Sequence, residues 1–394
     1  MTPINPQDST HSSATISDAS AVLATGETEI GARIGAIALL GRRDQPTDGV
    51  YDYTQYLSRA FSRRGDSLDV VELRWEILGW REGLLDLWKR SRTWKNGPVL
   101  LQYTALMWSA RGFPLGALAV IAILKWRRAR LGVVFHDVEY QPARDVIRQM
   151  RVVCQNFCLR TAFHCAEFAI LTVPASQISW LPRDSQRATF IPVGANFPPA
   201  GIANKKRDLP AVHTVAVFGV TGGAQIPVET RHIAQVMKHA AAAGLNLHLD
   251  VFGRNAIEAE PVLRRDLADT SISLSVAGLL PAEEVRARLS EADALLFVRG
   301  PISSRRGSAL AGIVCGTPVV GYRGAETAPP ITEAGVVLVE RNDCAALAKA
   351  LIGVLTDAQL HQELRQRNSA VTAQFLSWDA IASRFARVLR NSPV

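Results

Sequence analysis

The stretch Gly300–Gly324, GPISSRRGSALAGIVCGTPVVGYRG, decides how the rest of the chain reads. An apolar run, Ala294–Val298 (ALLFV), ends just before it and predicts a buried strand. Ser303, Ser304, Arg305, Arg306, Gly307 and Ser308 then lead into a short helix predicted over Ser308–Cys315. The following CGTPVV, Cys315–Val320, supplies a helix stop, a turn and the start of a second strand, Pro318–Tyr322. Small residues let backbone approach a ligand closely, a helix start offers unpaired N–H groups, and two arginines add fixed charge. That combination suits a diphosphate. Ser308 as a plain N-cap and the arginines as a solvated turn are the alternatives.

The same alternation extends in both directions. Towards the N-terminus, strands are predicted at Ile34–Leu40, Leu68–Arg74, Val99–Tyr103, Gly132–His136, Phe168–Val173 and Thr189–Val193, with segments of helical length between most of them. Residues 194–213 are rich in Pro, Gly and charge and lack periodicity, as a linker does. A second series follows, with strands at Thr214–Val220, Asn246–Phe252 and Ser271–Ala277 before the two already placed. Helices are predicted at Tyr51–Arg64, His232–Ala243 and Ala282–Ala292, and three more close the chain near Cys344–Thr356, Gln359–Phe375 and Trp378–Arg390. Continuous Val/Ile/Leu strands alternating with helices predict parallel sheets covered on both faces. The fold class is therefore α/β, with two doubly wound Rossmann-like domains facing a cleft. The divisions expected are a disordered tail at 1–30, a first domain at 31–196, a linker at 197–213, a second domain at 214–375 and a final helical segment at 376–394.

Composition excludes several alternatives. The chain has 394 residues, 48% of them apolar and 20% charged, as a globular protein of two or three domains would. Five cysteines at irregular spacing make neither a disulfide framework nor a zinc knuckle. The longest strongly apolar uncharged run, Gly112–Leu124, has 13 residues, short of a membrane span. The first 30 residues lack the basic start and apolar core of a signal peptide. Net charge is +8, and one stretch is unusual: Leu87–His136 holds nine bases, no acid and four tryptophans. Lys89, Arg90, Trp94, Lys125, Trp126, Arg127 and Arg128 are thereby candidates for contact with an anionic membrane or an acceptor. A solvated basic face with inward tryptophans is the alternative. No nucleic-acid motif accompanies the basic stretch.

With these pieces in place the chain resembles the GT-B glycosyltransferases, in particular glycosyltransferase family 4. The strand–loop–helix–CGTPVV arrangement resembles that family's donor-binding half, and Ala277–Phe297 (AGLLPAEEVRARLSEADALLF) resembles the run that precedes it. Phe375–Val388 (FLSWDAIASRFARV) resembles the closing helix that crosses back to the first domain. Asp48–Arg64, Phe135–Tyr140 (FHDVEY) and Ile191–Pro198 (IPVGANFP) match the first domain in the same order. There are departures. Where typical members carry two donor-site glutamates, this chain has Ser303 and Ala311. The Arg and Lys usual after the first strand of the donor domain are missing too, leaving Gly222 and Gly223, with Arg254 after the next strand as a candidate replacement.

The resemblance implies transfer of a hexose-type sugar from a nucleotide diphosphate sugar to a hydroxyl of a glycan acceptor. The basic Trp-rich stretch adds the expectation of a lipid-linked acceptor, polysaccharide biosynthesis, and a cytoplasmic enzyme held peripherally on the inner membrane face. Donor contacts are expected from Ser304, Arg305, Arg306, Gly307, Ser308, Gly222, Gly223 and Arg254. Catalytic candidates are His136 at a strand end, Asp137 beside it, and Asp48 in the Thr47–Gly49 turn, where a turn-forming Asp is the rival reading. No cofactor or metal is expected, with arginines and a helix dipole in the cation's place. A non-catalytic glycosyltransferase-like subunit and a GT-B nucleotide-sugar epimerase are the alternatives.

Overall fold

In the first half, each of the first four strands hands the chain to a helix on one or the other face of a sheet. The computed structural model describes residues 33–44, 48–140, 142, 145–183, 185–195, 211–341 and 343–391. The expected tail at 1–30, Thr47 and most of the expected linker lie outside these. The elements run β1 (Gly35–Leu40), α1 (Gly49–Arg63), β2 (Ser67–Glu72), α2 (Trp75–Arg90), β3 (Pro98–Tyr103) and α3 (Leu115–Trp126). They continue with β4 (Arg130–Phe135), α4 (Val146–Cys165), β5 (Phe168–Leu171) and β6 (Ala188–Phe190). All six strands pair parallel, in the order β2-β1-β3-β4-β5-β6. β3 and β4 are apolar on both faces because helices cover both, so they read as unbroken Val/Leu runs.

The second half repeats the plan: β7 (His213–Phe218), α5 (Ile226–Ala242), β8 (Leu247–Phe252), α6 (Ala256–Leu267), β9 (Ser273–Ala277), α7 (Ala282–Glu291) and β10 (Ala294–Pro301). After these come α8 (Gly307–Val314), β11 (Val319–Tyr322), β12 (Val336–Val339), α9 (Cys344–Thr356) and α10 (Ala358–Val371). The sheet order is β12-β11-β10-β7-β8-β9, again parallel throughout. This is the doubly wound order of dinucleotide-binding folds, whose direction reverses between β7 and β10. Ligands sit at the carboxyl ends of strands at such a reversal. The corresponding reversal of the first sheet lies between β1 and β3.

Three elements differ from the sequence-based expectation. The four-residue edge strand β12 and the helix α6, which contains Pro261, were not anticipated. β10 runs on to Pro301, three residues past the apolar run, so the backbone stays extended up to the loop before α8.

From Ile34 onward both sheets belong to one compact unit. The last helix, α11 (Trp378–Asn391), returns to the first half as expected. Its stripe of Trp378, Ile381, Ala382, Phe385 and Leu389 packs with Leu57, Phe61 and Ile191. Burial of the larger of these side chains contributes about 2 kcal/mol each. The Trp378 indole N–H donates to the Ala195 carbonyl at 2.8 Å, and its ring stacks on Tyr56. A further tie is Ser304, whose hydroxyl donates to the Thr172 carbonyl at 2.6 Å across the two halves.

Candidate active site

Two cavities open at the carboxyl ends of the two sheets, and Gly307 lines both. The first, about 450 Å³, is bounded by the loops after β1, β3 and β4 and by Arg305 from the second half. The second, about 640 Å³, lies between the loops of the second sheet and the outer face of α1.

The first cavity is lined by polar groups of both kinds, the neutral Tyr53, Thr104 and His136 and the charged Arg42, Asp44, Asp48, Asp137 and Arg305. His136 follows β4 directly, and its N–H donates to the Tyr103 carbonyl at 3.1 Å. Its Nε2 lies 2.8 Å from Gln102 Oε1, and the Tyr53 ring meets it edge-on at 5.1 Å. Burial lowers the imidazole pKa to about 4, so it is neutral at physiological pH. A neutral ring suits a hydrogen bond to a hydroxyl better than a proton shuttle. Asp137 differs. Burial raises its pKa, against opposing effects from the Tyr140 hydroxyl and from Arg305. That hydroxyl donates to Asp137 Oδ2 at 3.0 Å and accepts the Ala105 N–H at 3.0 Å, which fixes the carboxylate. Arg305 pairs with Glu326 at 2.5 Å.

Asp48 lines this cavity but is occupied otherwise. Its Oδ1 accepts the Val50 and Tyr51 N–H groups at 2.9 and 3.0 Å, and its Oδ2 accepts the Asp44 N–H at 2.9 Å. It is the N-cap of α1, so the turn-forming reading holds and the role of base is withdrawn.

The second cavity is cationic. Arg254, Arg299, Gly307 and Ser308 line it, together with Phe218, Gly219, Gly253 and the apolar Leu279, Leu280 and Val285. Arg299 reaches towards Ser308 Oγ and Thr221 Oγ1, both at 3.4 Å. Burial depresses its pKa, the nearby charges of Arg306 and Arg254 push the same way, and Glu229 opposes them. An anion placed at the start of α8 would meet the charges of Arg299, Arg254 and Arg306 together. Arg306 occupies the N-cap position of α8, and no side chain caps that helix start. Ser308 is therefore not the cap. Gly219 has φ +77°, where a side chain is strained, and a Cβ there would lie 3.0 Å from Arg299 Nη1, so the guanidinium would have to shift by a few tenths of an ångström.

Several expected contacts are corrected by this geometry. Ser304 is buried and its hydroxyl serves Thr172, so it faces no donor. Gly222 and Gly223 line neither cavity. Gly222 packs on the Asn255 side chain, and Gly223, at φ +65°, turns the chain into α5. Arg299 and Gly219 line the second cavity instead.

The basic Trp-rich stretch also reads differently in three dimensions. Trp94 is only 9% exposed and belongs to the core. Arg127 stacks on the Trp88 ring at 3.8 Å and donates to the Trp88 carbonyl at 2.7 Å. Arg90 pairs with Asp86, and Lys125 with Glu167. Trp126, Lys89 and Arg128 are exposed. These residues lie at the ends of α2 and α3, beside the starts of β3 and β4. That is the amino end of the sheet, a strand's length of roughly 20 Å from the cavity, so as acceptor contacts they are withdrawn.

Two doubly wound domains, a shared cleft and a crossing C-terminal helix define the GT-B fold. Among solved structures the chain is similar to a sucrose-phosphate synthase from Thermosynechococcus elongatus, at 17% identity and TM-score 0.64 over 91% of this chain and 98% of that one. It is similar to HepE of Anabaena in complex with UDP and glucose, at 13% identity and TM-score 0.59 over 91% and 100% of the two chains. A putative UDP-N-acetylglucosamine 2-epimerase from Listeria monocytogenes aligns at 12% identity and TM-score 0.56 over 91% and 96%. No protein-family model and no curated protein matches the chain.

Proposed function

We propose that the protein transfers a sugar from a nucleotide diphosphate sugar to a hydroxyl of a glycan acceptor. The observation that carries this reading is the pair of cavities meeting at Gly307, one cationic at an uncapped helix start and one lined by His136 and Asp137. The nucleotide lies in the second cavity, with its base against Leu279, Leu280 and Val285. Its diphosphate faces α8 between Arg254, Arg299 and Arg306. The acceptor enters the first cavity, where His136 orients its hydroxyl and Asp137 takes the proton as the sugar–phosphate bond breaks. Arg305, held by Glu326, faces the transferring sugar and offsets the charge growing on the leaving diphosphate. One well-placed donor of this kind contributes on the order of 3 kcal/mol. Arginines and the helix start fill the role of a metal, so turnover is expected without one.

The similarity of fold to HepE with UDP and glucose supports a UDP-hexose as donor. The exposed Leu106 at the mouth of the first cavity supports a lipid-linked acceptor, as in polysaccharide assembly at the inner membrane face. The putative epimerase among the similar structures favours one rival, in which the sugar is rearranged without an acceptor. Incubation with UDP-, GDP- and dTDP-sugars, with and without a lipid-linked glycan, separates the two. Nucleotide diphosphate released only with acceptor is expected. An isomerised nucleotide sugar in its absence supports the epimerase, and neither product supports a non-catalytic subunit.

A further inference from the structure

The helix α4 is apolar on two opposite faces. Leu159, Ala162 and Phe163 pack into the core. On the other side Val146, Met150, Val153 and Phe157, spaced four, three and four apart, form one stripe facing solvent, with Met150 62% exposed. A soluble helix ordinarily carries charge there. The neighbouring surface continues the pattern. Gly79, at φ +80°, breaks α2 after its first turn, and on that turn Ile77 is 80% exposed and Leu78 half exposed. Between α2 and the start of α3 runs a groove of about 600 Å³ lined by Trp75, Trp80, Phe113 and Leu115. Trp75 and Trp80 stack at 4.8 Å, and Arg151 of α4 lies 5.9 Å over the Phe113 ring. The loop carrying Phe113 thus links the groove to α4, so the two apolar surfaces lie on neighbouring elements.

Position and charge say what it meets. The first turn of α2, the groove loop and the start of α4 all follow carboxyl ends of strands, the side on which the first cavity opens. Residues 73–85, 105–115 and 145–160 carry six arginines (Arg74, Arg81, Arg111, Arg148, Arg151 and Arg160) against three acids (Glu76, Glu82 and Asp145). Glu76 bonds to Arg42 and Asp145 to Arg148. Exposed aliphatic side chains framed by surplus arginine match an anionic bilayer surface, with the chains among the acyl groups and the guanidinium groups on phosphates.

We propose that this face, and not the Trp-rich patch at the opposite end of the sheet, seats the protein on an anionic membrane. Seated so, the first cavity opens beside the lipid headgroups. The proposal does not depend on sugar transfer, and its test reads binding alone. Flotation with phosphatidylglycerol/phosphatidylcholine vesicles and with pure phosphatidylcholine vesicles is the experiment. The wild type is expected to float with the anionic vesicles and to weaken steeply with salt. The double variant Met150→Glu/Val153→Glu is expected to bind more weakly by on the order of tenfold or more, and Trp126→Ala to bind as the wild type does. Because both glutamates sit at exposed positions, an unchanged melting temperature and unchanged nucleotide affinity mark the variant as folded. No flotation of the wild type, equal binding to uncharged vesicles, or an unaffected double variant overturns the proposal. So does a wild-type dimer that the double variant dissolves, since a second copy then covers the face.

Discussion

The two cavities share a topology and differ in electrostatics. At the carboxyl end of the first sheet, polar side chains are buried and hold one another: His136 with Gln102, Asp137 with Tyr140, and Tyr140 with the Ala105 backbone. At the second sheet Arg299 lies in the fields of Arg254 and Arg306, with Glu229 opposing them. The difference teaches what each half is prepared to receive. Pre-paired polar groups suit a hydroxyl that must be oriented. A cluster of cations suits a polyanion.

That contrast can be broken experimentally, most sharply at the residue between the halves. Arg305→Ala is expected to lower turnover by about a hundredfold or more with an unchanged melting temperature. Turnover within a few-fold of wild type removes Arg305 from the mechanism.

Next in size is the effect of pH on the first half alone. The His136 pKa falls from 6.5 to about 4 on folding, so between these values the unfolded chain binds more protons than the native one. Stability should be fully present above pH ~6.5, decline as pH falls towards ~4, and lose about 3 kcal/mol over that window. In His136→Asn this part of the pH dependence should disappear. Urea midpoints at pH 7 and pH 5 for both proteins provide the check, and equal slopes mean that the imidazole is not buried neutral.

The smallest effect expected is at Asp48. Asp48→Ala should cost about 1 kcal/mol through loss of the α1 cap, while Asp48→Ser restores most of it and leaves activity near wild type. Loss of turnover in the serine variant would return Asp48 to the list of catalytic groups.

The fold was legible because parallel strands buried on both faces are written as continuous apolar runs. β12 escaped notice because four half-buried residues at a sheet edge carry little signal, and α6 because Pro261 interrupts its pattern. The arginine-lined region at the start of α8 was half legible. Arg305, Arg306 and Gly307 sit where small and basic residues precede a helix. Arg299 was hidden because it follows an apolar run and reads as a strand's last residue, and Glu326 because it arrives from the loop after β11. Gly219 and Gly223 both take positive φ, and nothing in the sequence says which of them lines a cavity. The basic Trp-rich stretch shows the opposite failure. Its pattern is real, but Arg127 and Trp88 satisfy each other, and Trp94 is core. The exposed stripe of α4 gave no warning, since i, i+4, i+7 spacing reads as a core face until the other face is seen to be core as well.

The central claim is that a nucleotide diphosphate occupies the arginine-lined cavity of the second half. It is tested most directly by thermal-shift titration of the wild type and Arg299→Ala with UDP, GDP, dTDP and CMP, without metal and then with magnesium. A nucleoside diphosphate at about a hundred times its Kd should stabilise the wild type by roughly 2.7 kcal/mol without metal. Arg299→Ala should need at least about tenfold more ligand for the same shift. A flat response of the wild type to all four nucleotides, or an equal response from the variant, contradicts it.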